Sequence, residues 1–233
     1  MSRITQYSTV GALLAGHFAG EKSLAALRCE DAFGLGCSAG INGELTICCG
    51  RIYEASAGEE VRCLSTDEKM PFLQVTQFAP QQTHVVEDIS HENAYEHIAR
   101  HIAPDNIFLA VSIEGRFDRL VLRRPRRAGD ETRDAHAVAA SQEVETREGV
   151  TGRLVGFWTP GLFGRVSVPG FHFHFLDDAR RISGHVLAYR CASATLSFEE
   201  KSTIEVVNPT SAAYRGLSID LDTLDGVIEK IEK

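Results

Sequence analysis

The chain has 233 residues, 43% of them hydrophobic and 24% charged, enough to bury a sizeable core and ordinary for a globular protein. Its formal net charge of −8 argues against non-specific nucleic-acid binding, and no apolar run reaches the roughly 18 residues that would suggest a membrane span. Because Met1 to Ser8 also lacks the apolar stretch of a secretory signal, the expectation is a cytoplasmic protein with neither a nucleic-acid nor a membrane partner. The six cysteines, Cys29, Cys37, Cys48, Cys49, Cys63 and Cys191, contain no CxxC pair, so they are expected to be reduced thiols buried as small hydrophobes.

Along the chain, Ser8-Thr9 before the apolar run Val10 to Gly16 predicts a capped short helix, and Lys22 to Cys29 a second. Strand signals follow at Phe33 to Ala39, Glu44 to Cys49 and Arg51 to Glu54, with Asn42-Gly43 as a hairpin turn, and at Phe72 to Phe78. His91 to Ile102 has helical spacing, with Ala94, Ile98 and Ile102 on one face. His97 and His101 have metal-ligand spacing there, but beside Arg100 they read as a solvated face. Phe108 to Phe117 and Leu120 to Arg123 read as strands. From Arg124 to Val150 the chain turns to Pro, Arg, Asp, Glu and Ala, and acidic residues answer the cluster Arg123, Arg124, Arg126 and Arg127, as in a solvated connector. Strands are expected again at Arg153 to Trp158, Arg165 to Val168, Ala194 to Phe198 and Thr203 to Val207, and a short acidic helix or tail at Leu221 to Lys233. The fold class is α/β of the α+β type, in two packed lobes. Residues 1–147 form a mixed α/β N-terminal lobe and residues 148–233 a strand-rich, barrel-like lobe, unless the two make a single domain.

The most specific pattern is Gly170-Phe171-His172-Phe173-His174-Phe175, followed after a polar turn by Gly184-His185-Val186. Successive strand side chains point to opposite faces, so His172 and His174 share one face and the phenylalanines the other. A turn through Asp177 and Asp178 returns the chain with His185 at the start of the next strand. Three neutral nitrogen ligands leave zinc an open coordination position, the arrangement of a catalytic site.

Over nearly its whole length the chain resembles the α-acetolactate decarboxylases. The resemblance is carried by Ala12 to Gly16, Phe33-Gly34-Leu35-Gly36, Asn42-Gly43-Glu44-Leu45, Thr76-Gln77-Phe78, Gly115-Arg116-Phe117, Gly152 to Pro160 and the histidine motifs. It implies Zn2+ on His172, His174 and His185, and functional roles for Glu44, for Arg123, and for a C-terminal glutamate, Glu232 in preference to Glu229. It also implies two mixed α/β lobes and a homodimer. The chain departs from the family pattern at Cys37, where the family has Thr near the substrate, at Cys49-Gly50 in place of Asp-Gly, and in lacking a Lys-Pro-Tyr element.

The implied reaction converts 2-acetolactate, a branched 2-hydroxy-3-keto acid, to acetoin and carbon dioxide, with the metal stabilising an enediolate that is then protonated. Arg123 suits the substrate carboxylate, and Glu44 is the candidate proton donor, a task that calls for burial. Two rivals stand beside it: another three-histidine metalloenzyme, cupin-like or hydrolytic, and a non-catalytic metal- or small-molecule-binding relative. A cupin would place a glutamate soon after its His-x-His pair, where this chain has Asp177 and Asp178.

Overall fold

The computed structural model describes residues 2–128 and 135–219. The first stretch contains β1 (Arg3–Tyr7), α1 (Val10–Leu14), β2 (Lys22–Ser23), α2 (Leu24–Leu27), β3 (Ala32–Cys37), β4 (Glu44–Cys48), β5 (Arg51–Ala55), β6 (Arg62–Leu64), β7 (Lys69–Met70) and β8 (Phe72–Gln77). It continues with β9 (Gln82–Ser90), α3 (Ala94–Ala99), β10 (Phe108–Phe117) and β11 (Arg119–Arg124). Then come α4 (Ala135–Ala140), β12 (Glu143–Arg147), β13 (Val150–Thr159), β14 (Gly170–Asp177), β15 (Ser183–Lys201), β16 (Thr203–Val207) and α5 (Ala212–Arg215). The fold is mixed α/β and dominated by strands.

One seven-stranded sheet runs β16-β1-β8-β3-β4-β5-β6, and the other runs β10-β13-β14-β15-β11-β12 with β9 added against β15. The 19-residue β15 is long enough to pair with β14 and β11 at one end and with β9 and β10 at the other. Pairing therefore runs in a closed circuit through β10, β13, β14 and β15. Strands from both sides of residue 147 share this second sheet, and β16 returns to lie parallel to β1 in the first.

Alternation decides what each face buries. Phe173 and Phe175 of β14 point into an apolar cluster with Phe117, Leu154, Tyr189 and Leu196 inside the second sheet. Val155 and Phe157 of β13 point the other way and pack with Leu35, Cys37 and Phe72 of the first sheet. His174 and His172 are their cross-strand partners, so both histidines face the first sheet too. Gly156 lets the strands approach this closely, since a Cβ there would lie 2.0 Å from the His172 carbonyl oxygen.

Several expected elements differ. Both N-terminal helices form and are capped, Thr9 accepting from the Ala12 N–H and Ser23 from the Ala26 N–H, but α2 stops where Arg28 turns left-handed at φ 52°. Asn42-Gly43 ends a longer loop that includes a 3-10 turn at Ala39–Ile41; the tight hairpin turn is Cys49-Gly50, with φ of 51° and 71°. Arg165 to Val168 forms turns instead of a strand, with the Val166 and Ser167 N–H groups bonded back to the Phe163 carbonyl. The connector contains α4 and the strand β12. His97 is buried rather than solvated, while His101 is exposed and stacks on His84 at 3.7 Å. The tail from Leu221 onward lies outside the described residues.

Candidate metal centre

The three histidines come from two adjacent strands whose register holds them together. His174 of β14 is directly opposite His185 of β15, and His172 lies two residues along on the same face. Their nitrogen donors all lie within 4.8 Å of one another, and the three rings are 5.0 to 5.5 Å apart between centroids. All three are buried. Burial, with the charge of Arg123 adding to it, pushes the His172 imidazole down to about 3. Burial also holds the His174 imidazole well below its ordinary value, reinforced by His172 and Arg123 and opposed by the bond to Leu45. Both imidazoles are therefore neutral at physiological pH, the form that ligates metal.

The first sheet supplies the remaining geometry. His174 Nδ1–H donates to the Leu45 carbonyl at 2.8 Å; a carbonyl only accepts, so Nδ1 carries the proton and Nε2 is left with its lone pair. Nε2 makes no hydrogen bond among the described residues and lies 3.5 Å from Glu44 Oε2. A buried nitrogen with an available lone pair, beside two further imidazoles, is a fitting donor set for zinc. Glu44 precedes Leu45 at the start of β4, and Arg123 Nη2 lies 3.7 Å from its Oε1. Arg123 is itself the cross-strand partner of His185. Glu44 and Arg123 are 7% and 6% exposed, so the pair sits in a poorly solvated setting where charge interactions are strong.

Of the residues singled out in the sequence, His172, His174, His185, Glu44 and Arg123 thus converge. Cys37 is buried on β3 directly opposite Glu44, at the margin of the same site. Glu229 and Glu232 lie outside the described residues. The arginine run is answered pair by pair: Arg124 with Glu145 at 2.7 Å, Arg126 with Glu143, and Arg127 with Glu54 and Glu59 at 2.9 and 3.0 Å.

Three supports were not legible in sequence. The Leu45 carbonyl leaves no sequence signal, because any residue supplies it. Thr46 Oγ1 reaches across to the Phe175 carbonyl at 3.3 Å and to Ser183 Oγ at 2.9 Å, tying β4 to the two strands that carry the histidines. Glu54 on β5 lies beneath the loop that leads to Glu44, so close that a Cβ on Gly43 would meet its Cγ at 2.4 Å. Burial pulls the Glu54 carboxyl upward, but hydrogen bonds from Ser38, Arg62 and Arg127 together hold it below its ordinary range. Only the spacing of Glu54 from Arg62 and Arg127 hints at it, and that is common on any surface.

Three buried histidines that could hold a metal, set where two packed sheets meet, define a class of candidate metal-binding proteins, and the comparisons with known proteins make it specific. Residues 4–221 match the family model described as alpha-acetolactate decarboxylase. The chain is 32% identical to the alpha-acetolactate decarboxylase of Raoultella terrigena over 99% of its own length and 90% of that relative. It is also 32% identical to that of Lactococcus lactis subsp. cremoris, covering 84% of each. The crystal structure of alpha-acetolactate decarboxylase from Bacillus subtilis strain 168 superposes with a TM-score of 0.93 at 27% identity over 99% of both chains. A Staphylococcus aureus protein described as of unknown function and similar to alpha-acetolactate decarboxylase gives 0.92 at 28%, covering 99% of this chain and all of that one. The chain belongs to the alpha-acetolactate decarboxylase family, whose named members are carboxy-lyases.

Proposed function

We propose that this protein decarboxylates 2-acetolactate to acetoin and carbon dioxide, with zinc held by His172, His174 and His185. The observation that carries the reading is the convergence of three buried histidines with Glu44 and Arg123 in a chain of this family.

Loss of the carboxylate from the carbon beside a ketone leaves an electron pair that delocalises onto the ketone oxygen as an enediolate. The chemistry zinc supplies when bound is Lewis-acid stabilisation of the negative charge developing on the keto and hydroxyl oxygens. Arg123, planar and permanently charged, holds the substrate carboxylate in register for its departure. Its backing by Glu44, 3.7 Å away, fixes the guanidinium in a site with little water. Glu44, buried and 3.5 Å from His174 Nε2, is placed to deliver the proton that converts the enediolate to acetoin. Cys37, across the strand pair from Glu44, borders the substrate and tunes which branched 2-hydroxy-3-keto acid fits. By family resemblance Glu232, or Glu229, completes the site, and the protein works as a cytoplasmic homodimer.

The test is the variant His174→Ala. Zinc content by elemental analysis and acetoin formation should be lost together while the fold, followed by circular dichroism, persists. Retained zinc with full turnover would move the metal elsewhere.

A further inference from the structure

Cys37 and Cys191 are buried among apolar side chains, as small hydrophobes should be, and Cys29 and Cys48 are half-buried, but the expectation of buried thiols fails at Cys49 and Cys63; Cys48 and Cys49 form a pair. These adjoin at the β4–β5 turn with their sulfurs 3.8 Å apart. Cys49 is exposed and left-handed, at φ 51°. Such a turn position favours Asn, Asp or Gly, and an exposed side chain gains no packing to offset the backbone cost. Neither turn chemistry nor core packing accounts for a cysteine there.

Cys48 shares a face of β4 with Thr46 and Glu44, at the end of the strand away from the histidines. Its sulfur accepts a hydrogen bond from Arg153 Nη1 at 3.5 Å, and Arg153 pairs with Glu114 at 3.0 Å. Both thiols line a cavity of about 470 Å3 whose walls also carry Arg180, Asp177 and Asp178. Fixed charges of both signs suit a zwitterionic guest with carboxylate and ammonium groups.

We propose that Cys48 and Cys49 form a reversible thiol–disulfide exchange site whose co-reactant is a low-molecular-weight disulfide of the amino-acid or peptide type. The Cys49 thiolate attacks one sulfur of the reagent, the reagent's S–S bond breaks, and one thiol departs, leaving a mixed disulfide on Cys49. The Cys48 thiolate then attacks the Cys49 sulfur and expels the second thiol. The two cysteines lose two electrons, the reagent disulfide gains them, and the two cysteine protons end on the two departing thiols. Exposure makes Cys49 the entry point. Cys48 is half-buried and adjoins Cys49, so its second step is intramolecular; burial holds its thiol above the ordinary value, with Arg153 opposing in part. A ring closed across a single peptide bond is strained, and strained disulfides are readily reduced, so the modification reverses.

The zinc-loaded, full-length protein is incubated with oxidised glutathione under native conditions and peptide-mapped by mass spectrometry, with exposed Cys63 as internal control. The Cys48-Cys49 peptide should lose two hydrogens with release of two glutathione molecules per chain, and dithiothreitol should restore it. Cys48→Ser should stop at one glutathione on Cys49, and Cys49→Ser should leave Cys48 unmodified. A mixed disulfide that persists on Cys49 in the unaltered protein, or reaction at Cys63 alone, would overturn the proposal.

Discussion

His174 is held by a bond that determines its chemistry: with Nδ1–H committed to the Leu45 carbonyl, only Nε2 can ligate. In the proposed mechanism Arg123 has a different task, set by the shape of its guanidinium rather than by its charge alone. Arg123→Lys should therefore keep the zinc and lose turnover by about 100-fold, the scale seen when one aimed donor is removed from an active site. Equal loss of metal and turnover in that variant would instead make Arg123 part of the metal's support. A separate residue governs behaviour in alkali. Burial, with Asp118 adding to it, pushes the Cys191 thiol from 9.0 up to about 12. Between those values the unfolded chain has released the proton and the folded chain retains it, so stability falls as pH rises from about 9 towards 12. Thermal unfolding across that range should decline less steeply in Cys191→Ala than in the unaltered protein.

At the scale of elements, β14 was readable because period-two alternation is strong: three phenylalanines and two histidines declare their faces without tertiary context. The weak signals were those decided by neighbours. β9 is a polar edge strand paired through β15, and β1 is a five-residue segment whose strand character depends on β8 and β16. Asn42-Gly43 has the composition of a hairpin turn, yet the tight turn formed at Cys49-Gly50, where the paired strands β4 and β5 set the loop length. Thr46 shows what such cross-element contacts contribute. Thr46→Val keeps the side chain's shape but removes its bonds to Phe175 and to buried Ser183. It should cost about 1–3 kcal/mol in denaturant unfolding, the penalty for leaving a buried polar group unsatisfied. A change near zero would mean that the two sheets are joined there by apolar packing alone.

For the molecule as a whole, strand content and the clustering of the three histidines were legible, while the way the sheets share the chain was not. A division near residue 147 follows the composition shift in the connector, whereas strand pairing depends on β10 and β11 joining β13 to β15 and on β16 returning to β1. Non-local pairing of that kind has no local signature. Glu44 likewise was singled out by the family resemblance alone, its local pattern being that of a strand end, and the packing of β4 on β14 sets it beside His174. Among the described residues every strand of both sheets ends by Val207, so a chain truncated after residue 219 should fold and keep its unfolding midpoint within a few degrees. If Glu232 or Glu229 completes the site, that truncated protein should lose turnover; full activity would remove the terminal glutamates from the mechanism.

The most direct measurement is acetoin formation from 2-acetolactate by the metal-stripped protein as zinc is added back. The rate should rise from background in proportion to bound zinc, level off at one zinc per chain, and be matched by carbon dioxide release. A folded protein that binds zinc at the three histidines yet forms no acetoin above background would contradict the account.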